Sequence, residues 1–139
     1  MPLDLMLIIS TNRHRYAIRR DDVLEIRLVP DTSAMPRDEQ DRPYLGVELG
    51  PLLDPDDYSD TRRRRALVVP LRRRLVALLT DSVDSFHEHA IPVPLPQLLS
   101  TRLSQPWAIG VLVLADEVII QLDLRAVARS ALAHRSSQN

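Results

Sequence analysis

The stretch Leu75-Val-Ala-Leu-Leu-Thr-Asp-Ser-Val83 decides the fold. Seven of its nine residues are apolar or Thr, and they follow neither a helical stripe nor a clean alternation. A strand apolar on both sides is buried on both sides, so something must pack on each face. Leu75 to Val83, which includes Leu78, therefore belongs where two layers or two small barrels meet. Thr80-Asp81-Ser82 breaks the run, because short polar side chains bond the backbone and turn the chain. Apolar runs of similar length flank it at Ala66 to Leu71 and Trp107 to Asp123, giving an all-β body around a central strand.

A chain of 139 residues suffices for one ordinary domain or two very small subdomains sharing a core. Hydrophobic residues make up 45% and charged residues 27%, as in a soluble globular protein. A net charge of −1 argues against a general polyanion binder, and the lack of cysteine excludes disulfides and thiolate metal sites. The N-terminal residues lack the basic region of a secretory signal, and no apolar run approaches a membrane span. A cytoplasmic protein with no direct membrane insertion is the expectation.

In chain order, Leu5 to Thr11 reads as a strand, Asn12 to His14 as a hairpin loop, and Arg15 to Ile18 as a half-exposed return strand. Asp21 and Asp22 read as N-cap and N1 of one helical turn, with Val23, Ile26 and Leu28 turning inward until Pro30. Asp31 to Pro43 has no packing face. Tyr44 to Leu49 is strand-like, with a helical turn at Gly50 to Leu53. Asp54 to Asp60 and Arg62 to Arg65 read as one exposed loop. Ala66 to Leu71 pairs with Leu75 to Val83 around Arg72 to Arg74. Ser85 to Ala90 reads as an edge strand, and the prolines of Ile91 to Pro96 exclude a central one. Gln97 to Leu103 reads as a helical turn. Trp107 to Leu114 and Glu117 to Asp123 form the clearest hairpin, turning at Ala115-Asp116. Leu124 to Ala133 is the one true helix, with Leu124, Val127, Ala128, Ala131 and Leu132 on one face.

Candidate chemistry is sparse. His87 and His89 share a strand face and could share a metal, but no third ligand accompanies them. Ser82 lies among Asp81, Asp84 and His87 without a G-x-S-x-G elbow. Arg62 to Arg65 and Arg72 to Arg74 could converge at one end of a hairpin and bind a phosphorylated ligand or nucleic acid. Neighbouring Asp54, Asp56, Asp57 and Asp60, and few aromatics, favour solvated charge pairs and no nucleic acid. No catalytic residue, cofactor or metal site is assigned.

The segment order resembles the CheW-like domains of bacterial chemotaxis coupling proteins. Leu7-Ile8-Ile9, then Arg15-Tyr16-Ala17-Ile18 and Asp22-Val23-Leu24-Glu25-Ile26, are similar to that family's opening strand, "YAI" strand and "V-x-E-I". Tyr44 to Leu49 resembles its "P-V-x-D-L" strand, with Glu48 in place of Asp and Leu49 matching. Leu75 to Val83 resembles "x-V-G-L-L-V-D-x-V", with Asp81 and Val83 matching and Ala77 in place of Gly. Pro92 to Leu98 resembles its "P-L-P" segment. Ile109-Gly110-Val111 and Val118 to Leu124, including Asp123, resemble the closing "G-x-x…I-L-L-D-L".

The resemblance implies a single domain over residues 1–135, two intertwined SH3-like barrels on a shared core, with a short C-terminal helix and a frayed tail at 136–139. It implies a scaffold without catalysis, joining chemoreceptor cytoplasmic tips to the regulatory domain of a CheA-type histidine kinase. Tyr44, Leu45, Val47, Arg72, Arg73 and Trp107 are the expected contacts. Leu75 to Val83 and Trp107 to Asp123 are assigned to one barrel, the second. The family's "G-x-x-N-x-R-G" strand is missing from Asp31 to Pro43, so the first barrel is expected to lack a strand. The vacant edge could pair with a second copy in a homodimer, and receptor coupling is expected to be weak.

Overall fold

Two sheets face each other, and each carries apolar side chains on both of its sides. The computed structural model describes residues 5–29, 45–58, 64–72, 74–87, 93–94, 107–114 and 116–137. Its strands are β1 (Met6–Ser10), β2 (Arg15–Arg19), β3 (Glu25–Val29), β4 (Leu45–Glu48), β5 (Arg64–Pro70), β6 (Leu75–Thr80), β7 (Ser82–His87), β8 (Val93–Pro94), β9 (Ala108–Leu114) and β10 (Glu117–Leu122). A 3-10 turn (Arg20–Asp22), a short helix α1 (Leu49–Leu53) and a closing helix α2 (Leu124–Ser137) complete it. One sheet has the order β7-β1-β2-β10-β9-β8, the other β3-β5-β6-β4. The four-stranded sheet is thus inserted into the six-stranded one between β2 and β7.

Successive residues of β6 enter two different cores, because side chains alternate across a strand. Val76 and Leu78 join Leu67 and Val69 of β5, Leu7 and Ile9 of β1, Tyr16 and Ile18 of β2, and Val127 and Ala128 of α2 in a core shared by both sheets. Ala77 and Leu79 point the other way, onto Val29, Ala66 and Val68. The far side of the six-stranded sheet buries Met6, Ile8, Ala17, Leu112 and Ile119. Three apolar layers separated by two sheets explain why the run at 75–80 has no polar face.

The break at Asp81 is the crossing point between the sheets. β6 ends at Thr80 and β7 begins at Ser82 beside β1. The Asp81 N–H and the Thr80 hydroxyl both donate to the Ser10 carbonyl, at 2.9 and 2.6 Å. Arg64, buried at the start of β5, reaches Asp81 Oδ1 at 2.9 Å and Glu48 Oε1 at 3.1 Å. One guanidinium thereby ties the ends of β4, β5 and β6 where the chain changes sheets.

Several expectations are corrected. β2 is not half-exposed: Tyr16, Ala17 and Ile18 are all buried, since their sheet has a core on each side. Arg19, not Asp21, holds the cap position of the 3-10 turn, and its side chain does not cap the turn. Leu28 is exposed, because it pairs with exposed Arg65 where the shared core has run out; Val29 points to the opposite side and is buried. The loop after α1 is not simply solvated. Asp57 is buried and accepts hydrogen bonds from the Thr11 hydroxyl and the Arg13 N–H. Asp54 meets His14 Nε2 at 2.8 Å. Gly50 lets this loop fold back, since a Cβ there would lie 2.6 Å from the Asp57 carbonyl oxygen. Residues 75–80 and the 108–122 hairpin do not share a barrel; they lie in different sheets. Helix α2 runs past the expected end at Ala133 to Ser137. The expected hairpin at Asp116 is present, with that residue left-handed at φ 69°, a conformation Asp tolerates. The missing-strand expectation at 31–43, the turn at 97–103, and Tyr44, Arg62, Arg63 and Arg73 lie outside the described residues.

Two stability predictions follow from this packing. Leu78→Asp puts a carboxylate with no partner into the shared core at a cost of several kcal/mol, on the order of a small domain's whole stability; a soluble variant that still melts cooperatively contradicts the placement. Arg64→Ala is milder. Both carboxylates are partly exposed and can rehydrate, so the loss in urea titration is about 1–3 kcal/mol, and no loss means the crossing is not held by Arg64.

Candidate interaction surface

Most of the residues that carried the family resemblance serve the fold. Leu49, Leu78 and Leu124 are fully buried in the shared core, and Val83 packs partly buried against it. Glu48 and Asp81 meet on Arg64. Asp123 caps α2, its Oδ1 accepting from the Ala126 N–H at 3.2 Å. Gly110 allows close approach, since a Cβ there would lie 2.7 Å from the Val93 carbonyl oxygen and 2.8 Å from Gln121 Oε1.

The expected contact residues divide. β4 pairs in register with β6, Leu45 opposite Val76 and Val47 opposite Leu78, so both follow those residues inward. Leu45 is buried in the shared core, and Val47 and Trp107 pack half-buried against it. Their side chains therefore support the strands rather than face outward. Arg72 is exposed at the β5–β6 turn.

Of the sequence candidates for chemistry, Ser82 and Asp84 meet, but Asp81 and His87 have other partners. Ser82 Oγ bonds Asp84 Oδ1 at 2.6 Å, whereas His87 Nε2 meets Ser85 Oγ at 2.8 Å and Asp81 is held by Arg64. Burial opposes ionisation of Asp84, but hydrogen bonds from Ser10 and Ser82 and the charge of Arg15 outweigh it and keep its carboxyl below the usual range. Burial, then the carboxylates of Asp57 and Asp54, push the Tyr16 phenol up to about 12, so it stays protonated. No group of three potential metal ligands occurs among the described residues. The two arginine runs do not converge: Arg64 and Arg65 open β5, whereas Arg72 and Arg74 follow its end. Six residue steps of extended strand separate the strand's ends by about 20 Å. The reading of a single anion site built from both runs is thereby overturned for these residues.

Two surfaces remain. Val93, Ile109, Val113 and Val118 are exposed by 51, 44, 59 and 63%. Val113 stands opposite Val118, and Val93 opposite Val111. Alternation puts Val93, Val113 and Val118 on one face of the β8–β9–β10 end, with Ile109 exposed where the β9–β10 pairing slips, while Leu112 and Ile119 point into the core behind. Contiguous exposed apolar side chains of this kind mark interaction sites. They escaped sequence reading because both faces of these strands are apolar, and the pattern does not tell which face stays open. The second surface is a groove of about 690 Å³ between the β5–β6 turn and α2. Among the described residues Pro70, Leu71 and Leu132 are its apolar part and Arg72, Arg125 and Arg129 its charged part.

No protein-family model and no curated protein matches this chain. Among solved structures it is similar to the crystal structure of scaffolding protein TtCheW from Thermoanaerobacter tengcongensis, at a TM-score of 0.69 and 14% identity. The match covers 91% of this chain and 88% of that one. Likeness at this identity is likeness of fold: the chain has the CheW-like fold, two SH3-like β subdomains with a C-terminal helix.

Proposed function

We propose that this chain is a non-catalytic, cytoplasmic adaptor in bacterial chemotaxis-type signalling, binding the regulatory domain of a CheA-type histidine kinase barrel on barrel. The observation that carries the reading is the match to a scaffolding protein over nearly the whole of both chains, both subdomains included. The strip Val93, Ile109, Val113 and Val118 supplies the apolar centre that such an interface needs. Tyr44, Leu45, Val47, Arg72, Arg73 and Trp107 remain proposed contacts separate from that strip, although the side chains of Leu45, Val47 and Trp107 pack on the shared core. Residues 31–43 lack the family's Arg-Gly sequence, so kinase binding outlasts receptor coupling. No described helix is long and apolar enough to cross a membrane.

The expected result is capture of a purified kinase regulatory domain, with weak or absent capture of a receptor cytoplasmic fragment. Val113→Glu with Val118→Glu, both exposed, should leave the melting temperature nearly unchanged and weaken kinase binding about tenfold or more. Sedimentation of the protein alone reads any homodimer. Normal receptor coupling overturns the receptor part of the reading. A folded monomer that binds neither partner overturns the adaptor assignment.

A further inference from the structure

The groove between the β5–β6 turn and α2 has a composition that the fold does not require. Its apolar part, Pro70, Leu71 and Leu132, is only half-buried. Arg72 stands on the turn, and Arg125 and Arg129 stand four residues apart on α2, one helical turn. All three are exposed. Among the described residues Arg72 and Arg129 meet no carboxylate, and Arg125 reaches Asp22 only at 3.9 Å. Three guanidiniums around one groove repel one another in a chain whose net charge is −1. An acidic occupant relieves that repulsion, and an apolar one covers the leucines.

We propose that this groove docks an acidic amphipathic helix of a partner protein. The walls select a helix over a strand. The pairing of β5 with β3 ends at Val68, which leaves only Val69 and Pro70 on that edge. Pro70 has no N–H and the Leu71 N–H already bonds the Arg74 carbonyl, so the groove offers no edge long enough for an added strand. A helix instead turns apolar residues at i, i+3, i+4 and i+7 onto Leu71 and Leu132, with carboxylates flanking that stripe. Those carboxylates meet Arg72 on one wall and Arg125 and Arg129 on the other. The site lies on α2 and the four-stranded sheet, apart from the strip on β8–β10, and does not rest on the kinase reading.

The test selects a random peptide library on the whole protein, with subtraction on the Arg72→Glu, Arg129→Glu double variant. Both substituted residues are exposed, and a thermal melt checks that the variant is folded. The selected peptides should share an acidic amphipathic helical pattern. Synthesised and labelled, they should bind by fluorescence anisotropy, weaken as salt rises, and lose about tenfold or more in affinity on the double variant. Amide shifts should map to Leu71, Arg72, Arg125, Arg129 and Leu132. A selected peptide with its apolar residues changed to Ser, acids intact, should not bind. Peptides lacking the acidic pattern, affinity unchanged on the double variant, or equal binding by the Ser-substituted peptide each overturns the proposal. Displacement by a nucleoside phosphate at similar concentration would make the groove a small-anion site instead, which also overturns it.

Discussion

Packing of β5 and β6 against β1 and β2 through one apolar layer is the interaction on which the rest of the structure depends. Neither sheet encloses that layer alone. Leu67, Val69, Val76 and Leu78 come from the inserted sheet, Leu7, Ile9, Tyr16 and Ile18 from the outer one, and α2 adds Leu124, Val127 and Ala128. A small domain has little core to spare, so dividing this one would leave two units each below the size that folds readily. Both crossings between the sheets are short and bonded. At the first, the Arg20 N–H donates to the Leu5 carbonyl at 2.8 Å and the Leu24 N–H to that of Val68 at 2.7 Å. At the second, Arg64, Asp81 and Ser10 close the step from β6 to β7.

The polar groups at the second crossing make a demand of their own. A buried guanidinium is costly unless its donors are met, and Glu48 and Asp81 meet them from strand ends that Arg64 itself brings together. The described residues hold no buried side-chain polar atom without a partner. A core shared in this way holds the strip on β8–β10 and the groove beside α2 in one fixed relation. That rigidity suits the adaptor reading, in which one body holds partners apart at a set spacing.

Much of this arrangement was legible in the residues. The two-sided burial of the 75–80 run, its break at Thr80-Asp81-Ser82, the hairpin turning at Asp116 and the inward face of α2 all follow from hydrophobic pattern and turn chemistry. Arg64 was not legible, because a run of four arginines looks like a solvated loop. Extending the alternation of β5 backwards would have found it: Ala66 is in, Arg65 out and Arg64 in. Leu45 and Val47 were read as contacts because β4 is an edge strand; their side chains follow Val76 and Leu78 inward, which local pattern does not show. Leu28 was misread because local pattern does not tell where a core ends. Of the surfaces, Arg72 was singled out from sequence. The apolar strip and the groove needed tertiary placement, since Arg72 comes beside Arg125 and Arg129 only through folding.

The central claim is that the shared core makes the two subdomains one cooperative unit. Native-state hydrogen exchange of backbone amides tests it most directly, comparing Ile8 and Ile9 in β1 with Ala77 and Leu78 in β6 across a denaturant series. Amides in both strands should open with the same free energy, equal to that of global unfolding, and with the same denaturant dependence. Exchange of one strand through an opening that leaves the other protected would mean that the subdomains unfold separately, and would contradict the account.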